Sequence, residues 1–156
     1  MRLVLLAPGK AAHPAAVAWV DDLAGRIARI LPYDRQACRV PRRTRAGLDI
    51  QARRLECDAL LLALPPTAHV VLLDVGGRAY DSDQFHQWLL QRIEGGTREL
   101  WFVLGGPDGV DDRLRERASL RMSLTEMTLP HDLAEVVLLE QLYRALTRWK
   151  NLPYHR

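Results

Sequence analysis

Cysteine is scarce in this chain. Cys38 and Cys57 are the only two in 156 residues and lack C-x-x-C spacing, which argues against a disulfide framework and a thiolate metal site. Both read as buried thiols in a reducing cytoplasm. No apolar run approaches the roughly 18 residues that a membrane-crossing helix needs, and the apolar start Met1–Ala7 stops at Pro8, too short for a secretory leader. A soluble, cytoplasmic protein with no membrane partner is expected. Neither G-x-G-x-x-G nor G-x-x-x-x-G-K-[ST] occurs, so nothing points to a dinucleotide or triphosphate cradle. There is no G-x-S-x-G elbow, the five histidines are scattered, and none has H-E-x-x-H spacing, which removes any case for a serine triad or a metal. The chain also lacks a linker, a low-complexity tract and an internal repeat. Residues 1–156 therefore read as one domain, long enough to bury a core.

Neither sign of charge dominates: positive charge exceeds negative only slightly, for a net charge of +3, which permits an anionic partner without requiring one. Its distribution is uneven. Residues 34–54 hold Arg35, Arg39, Arg42, Arg43, Arg45, Arg53 and Arg54 against Asp34 and Asp49. Such a block is either a solvated face or a surface that meets phosphates.

What is present alternates in type. Arg2–Ala7 is a short apolar run stopped by Pro8-Gly9, as in a strand buried on both faces. Pro14 suits a first helical position, and Val20, Leu23, Ala24, Ile27 and Leu31 recur at helical spacing until Pro32. A second strand is predicted over Ala37–Val40, then a helix with Ala52, Leu55, Ala59 and Leu62 on its inner face, ended by Pro65-Pro66. His69–Asp74 reads as a central strand closed by a Gly76-Gly77 turn. A helix from about Ser82 buries Phe85, Leu89 and Ile93, and Glu99–Leu104 is the next strand. The last helix is predicted from near Asp132 to Trp149. Along it Leu133, Val136, Val137, Glu140, Tyr143, Arg144 and Thr147 form one stripe. Glu140 and Arg144, at i, i+4 in the favourable order, are either an ion pair set into an apolar face or a half-exposed pair at its edge. Strand-helix alternation of this kind implies a largely parallel sheet with helices on both faces.

In such sheets ligands bind beyond the carboxyl ends of the strands. Three connections leave those ends here: after Asp74, after Leu104 and around Thr128. The run Gly105-Gly106-Pro107-Asp108-Gly109 is either a tight turn or a place where backbone approaches a ligand closely. Ser123–Leu129 mixes Leu124, Met127 and Leu129 with the hydroxyls of Ser123, Thr125 and Thr128. It reads as an edge strand, or as a pocket wall whose apolar side chains sandwich a flat base while backbone groups meet its edge. At the C-terminus Pro153-Tyr154-His155-Arg156 offers a stiff approach, a stacking face, an imidazole and a cation.

Taken together, L-L-D with G-G-R, L-G-G-P-D-G, S-L-T-E-M-T-L-P-H, L-L-E-Q-L-Y-R-A and the P-Y-H ending resemble the SPOUT superfamily of methyltransferases. Within it they are similar to the small RlmH type, which methylates N3 of a pseudouridine in large-subunit (23S) ribosomal RNA. The resemblance runs over nearly the whole chain. It implies an α/β domain with a C-terminal trefoil knot, an exception to the un-knotted rule. It also implies S-adenosyl-L-methionine held by Leu73, Gly105, Leu124, Thr125, Glu126, Met127, Thr128 and Leu129. A homodimer is implied with the site at the subunit interface, which gives the stripe on the last helix a second explanation. The resemblance marks the tail as important, and the reaction itself wants a base and a cation: the expectation is that His155 helps remove or relay the N3 proton, Arg144 or Arg156 stabilises the oxyanion, and Tyr154 positions the base. At Asp132 and Glu135 the family more often has an uncharged residue and an arginine, so a cation is exchanged for a carboxylate near the site. Weaker RNA affinity is the expected consequence, with the 34–54 arginine block in compensation. Competing functions are a non-catalytic RNA-binding or ribosome-assembly factor of the same fold and a methyltransferase acting on tRNA. No DNA partner is implied.

Overall fold

The computed structural model describes residues 1–38 and 50–154. Ten elements follow one another: β1 (Arg2–Ala7), α1 (Pro14–Ala28), β2 (Tyr33–Ala37), α2 (Ile50–Ala63), β3 (His69–Ala79), α3 (Ser82–Glu94), β4 (Glu99–Leu104), α4 (Asp112–Arg117), β5 (Leu120–Ser123) and α5 (His131–Trp149). The strands form one sheet in the order β2-β1-β4-β3-β5, and every neighbouring pair is parallel. The knotted threading expected for the last third is not visible in this pairing.

The apolar strands are buried because both faces of the sheet are covered. Successive side chains alternate sides, so Leu3, Leu5, Val71, Leu73, Leu100 and Phe102 join a core shared with α1, α3 and α5. Val4, Leu6, Val70, Leu72, Trp101 and Val103 meet the α2 and α4 side. Local signals fix the helix starts. Pro14 opens α1 behind the His13 cap. Asp81 and Gln84 form a reciprocal capping box at α3, with Gln84 N donating to Asp81 Oδ1 at 2.7 Å.

Several sequence expectations are corrected. The second strand is Tyr33–Ala37 and not Ala37–Val40; in it Tyr33, Asp34 and Arg35 pair with Leu3, Val4 and Leu5 of β1, so strand geometry outweighs their polarity. Val40 lies outside the described residues. In α2 the buried residues are Glu56, Cys57 and Leu60, whereas Leu55 is exposed and Leu62 is 89% exposed. The inner face is thus rotated from the predicted Ala52-Leu55-Ala59-Leu62 stripe, with the Glu56 carboxylate turned inward against Gly106. Gly76-Gly77 is not a turn. Strand β3 runs on to Ala79 and its pairing with β5 shifts between Leu73 and Arg78, a bulge made possible at Gly77, where a Cβ would lie 2.6 Å from the Met122 backbone nitrogen. The α5 face that enters the core is Glu135, Leu138, Leu139, Leu142, Ala145 and Leu146. Of the predicted stripe, Val136 and Thr147 are buried, Leu133 is exposed, and Val137, Glu140, Tyr143 and Arg144 are half-buried at its edge. Cys57 is buried and Cys38 half-buried, both free; burial raises both thiols above their ordinary range. No helix among the described residues is long and apolar enough to cross a membrane.

Candidate cofactor cleft and C-terminal cluster

The carboxyl ends of β3, β4 and β5 converge on one cleft of about 540 Å³. The three connections singled out in the sequence supply its walls: Leu73 to Val75, Leu104 to Val110, and Met122 through Pro130 into the first turn of α5. Leu73, Gly105, Leu124, Thr125, Met127, Thr128 and Leu129 all line it; Glu126 is exposed and absent from the walls. Sequence reasoning missed His131 and Ala134, which enter because α5 begins at His131 and turns its first residues toward the glycine loop. The P-H step after the apolar loop was the available signal.

The glycine run is both a turn and a wall. Gly109 N donates to Gly106 O at 3.0 Å, and Gly109 has φ +76°, a left-handed conformation that favours glycine. At Gly106 the constraint is space: a Cβ would lie 1.8 Å from Oε2 of Glu56, the buried carboxylate under the loop. The 123–130 loop shapes itself with its own hydroxyls. Ser123 Oγ donates to Thr125 O at 2.8 Å and Met127 N donates to Thr125 Oγ1 at 3.2 Å. Those hydroxyls are engaged within the loop, so its apolar side chains dominate the wall. Val75 and Met127 are exposed at 63% and 76% on the cleft's two sides, as expected of apolar groups that a ligand would cover.

Two polar groups set the cleft's electrostatics. Asp74 accepts from Arg115 Nε and Arg121 Nε, each at 3.1 Å, so its charge is matched while α4 and β5 are tied to the end of β3. His131 Nδ1 lies 3.2 Å from Gly105 O. A carbonyl only accepts, so Nδ1 carries the proton. His131 Nε2 is buried without a hydrogen-bond partner among the described residues, an acceptor left for a bound molecule.

The two departures near the cleft both have structural partners. Asp132 Oδ2 accepts from the backbone N–H groups of Ala12 (3.0 Å) and His13 (2.8 Å), and these hold its carboxyl below the usual carboxylate range. Glu135, fully buried, binds Arg35 through Nε at 2.5 Å and a terminal nitrogen at 2.8 Å. That arginine also donates to Gly9 O at 3.2 Å. Glu135 is therefore no loose carboxylate at the cleft, and Arg35 is withdrawn from the arginine block. Arg53 is half-buried and Arg54 exposed on α2; Arg39, Arg42, Arg43, Arg45 and Asp49 lie outside the described residues.

Of the proposed catalytic groups, the two that are described stand apart from the cleft. Neither Arg144 nor Tyr154 lines it; Arg144 on α5 and Tyr154 in the turn after it form a second cluster around Glu140. Glu140 Oε1 accepts from Arg144 at 2.9 Å and 2.5 Å, the Arg144 guanidinium lies 5.4 Å from the Tyr154 ring centroid, and Tyr154 meets Tyr143 edge-on at 4.6 Å. The Glu140 and Arg144 side chains are 20% and 35% exposed, which settles the pair as an edge pair and not an ion pair sunk in the core. His155 and Arg156 lie outside the described residues. One chain thus presents a cleft and a tail cluster that do not share a wall.

A parallel sheet with such a cleft beyond its strand ends defines an α/β domain able to hold a nucleoside-sized cofactor. The chain belongs to the SPOUT methyltransferase family, whose model, described as a predicted SPOUT methyltransferase, matches residues 1–155. It is accordingly a methyltransferase, and S-adenosylmethionine is its cofactor. It is 38% identical over 156 residues, covering all of both chains, to the ribosomal RNA large subunit methyltransferase H of Gemmatimonas aurantiaca. The protein of the same name from Geotalea daltonii is also 38% identical, over 99% of each chain, and that from Syntrophobacter fumaroxidans is 32% identical over the full length of both. A crystal structure of a probable rRNA-methyltransferase from Porphyromonas gingivalis superposes with a TM-score of 0.52 at 14% identity, over 95% of this chain and 69% of that one. That last likeness concerns the fold alone.

Proposed function

We propose that this chain methylates N3 of a pseudouridine in large-subunit (23S) ribosomal RNA, as a homodimer acting on the assembled or nearly assembled ribosome. The observation that carries this reading is the cleft: the loops that match the family motifs meet in one cavity, and the relatives over the same full length are ribosomal RNA large subunit methyltransferases.

The residues present fit the cofactor. Leu73, Leu124, Met127 and Leu129 supply apolar walls for a flat base, Gly105 and Thr125 to Leu129 supply backbone donors and acceptors, and His131 Nε2 is an unfilled acceptor. Glu126, which the family resemblance includes, contributes through its backbone. Bound there, S-adenosylmethionine supplies an electrophilic methyl group.

The target nitrogen carries an imide proton, and it becomes nucleophilic as that proton leaves and charge spreads to the flanking carbonyls. His155 takes the N3 proton in this reading. Arg144 stabilises the oxygen that gains charge, and Tyr154 stacks against the base. Because cleft and tail cluster are separate in one chain, the tail serves the cleft of a second copy. The half-buried edge of α5, with exposed Leu133 beside it, is the surface through which the copies meet.

The test is incubation of the protein with labelled S-adenosylmethionine and ribosomes lacking the N3-methyl mark, followed by nuclease digestion and mass spectrometry. Methyl on a pseudouridine is expected. Cofactor binding without transfer to ribosomes would overturn the reading in favour of an assembly factor or a tRNA substrate.

A further inference from the structure

The turn that follows α5 brings the tail back along the helix. Asn151 has φ +55°, in the left-handed region, and Leu152 N donates to Thr147 O at 2.8 Å. This reversal carries Tyr154 to Glu140, 14 residues earlier, where its hydroxyl lies 3.4 Å from Oε1. The same oxygen accepts from Arg144. The other oxygen, Oε2, accepts from Gln141 Nε2 at 2.7 Å, and Gln141 Oε1 accepts from Ser82 Oγ at 2.8 Å at the start of α3. One half-buried carboxylate therefore gathers an arginine from its own helix, the tyrosine of the tail and, through Gln141, a neighbouring helix.

We infer that Glu140 is the positioning residue for the C-terminal tail: its carboxylate fixes Arg144 and Tyr154 relative to each other and so sets where the residues after Tyr154 begin. This rests on the proposed function in taking that tail as the catalytic segment. The physical reason is geometric. Tyr154 is held by one hydroxyl contact, one ring edge and one cation over its face, and two of these three depend on Glu140 directly or through Arg144. A neutral amide in its place keeps the shape but removes the charge that orients the guanidinium, so arginine and tyrosine are no longer tied to one point.

The experiment compares wild type with Glu140→Gln and Tyr154→Phe by two readouts. Carboxypeptidase Y trimming followed by mass spectrometry reads tail docking: the wild type resists removal of Tyr154, while both variants lose it several-fold faster. Steady-state methyl transfer to ribosomes reads positioning: kcat of Glu140→Gln falls about tenfold or more while the cofactor Kd stays within about twofold of wild type. The double variant is no worse than the poorer single, as for groups acting as one unit. Wild-type trimming and wild-type kcat in Glu140→Gln would overturn the inference, as would a loss confined to cofactor affinity. Should the wild type fail to methylate ribosomes, the proposed function falls, and the trimming comparison still decides whether Glu140 holds the tail.

Discussion

At the scale of single residues, the cleft depends on an absence. Gly106 has no Cβ, and the space one would fill is taken by the Glu56 carboxylate, buried at the α2 side of the sheet. Burial removes the freedom that would let a surface glutamate swing away. Gly106→Ala therefore has to displace either a buried carboxylate or the loop itself, an overpacking change of about 1–3 kcal/mol. Because the loop is a cleft wall, the expected outcome is a cofactor Kd raised about tenfold by calorimetry together with a lower melting temperature; an unchanged Kd would separate loop shape from cofactor binding. Sequence reading reached Gly105 through the family motif but not this relation, since nothing in L-E-C-D says that Glu56 turns inward. The charge on Glu56 made Leu55 and Leu62 look like the inner face, when the inner face of α2 had to accommodate the loop from the next layer.

At the scale of elements, strands and helices were legible where their signals are local. The both-face burial of β1 and β4, the Pro14 start of α1 and the Ser82 start of α3 all follow from runs, prolines and caps that sit beside them in the chain. Elements fixed by distant partners were not legible in this way. Strand β2 reads Y-D-R-Q-A, and its place beside β1 depends on Arg35 finding Glu135 a hundred residues later. Short α4 and β5 are held by the two arginines that converge on Asp74. The Arg35-Glu135 pair makes a test at this scale. Its arginine side chain is 17% exposed and its glutamate fully buried, so Glu135→Ala leaves a half-buried cation unpaired and costs roughly 3 kcal/mol, near the low end for a broken buried pair. Glu135→Arg sets two cations against each other and unfolds at lower denaturant still. Adding Arg35→Glu to that variant restores most of the loss. Strictly additive destabilisation in the double variant, measured by urea unfolding, would show that the pair is not coupled.

At the scale of the whole molecule, what matters is that neither half of the chemistry lies where the other is. The cleft is closed by the first turn of α5, and the tail cluster occupies the later part of the same helix, with its catalytic candidates outside the cleft walls. The tail folds back to Glu140 and Arg144, which lie about 14 and 20 Å along α5 from His131 at 1.5 Å per residue, so the cluster and the cleft of one chain are separated by the helix that fills its core. In the homodimer proposed above, two copies related by a two-fold axis would exchange tails, and each dimer would hold two composite sites. Mixed dimers test the arrangement directly. Assayed at cofactor well below its Kd, a cleft variant, Gly106→Ala, is expected to keep about a tenth of the wild-type rate, and a tail variant, His155→Ala, to be nearly inactive. Unfolded and refolded together in equal amounts, they form mixed dimers in about half of the population, each with one site made from an intact cleft and an intact tail. Activity should return to about a quarter of the wild-type rate. A site completed within one chain predicts no recovery at all, because every cleft would then be served by the tail of its own defective copy.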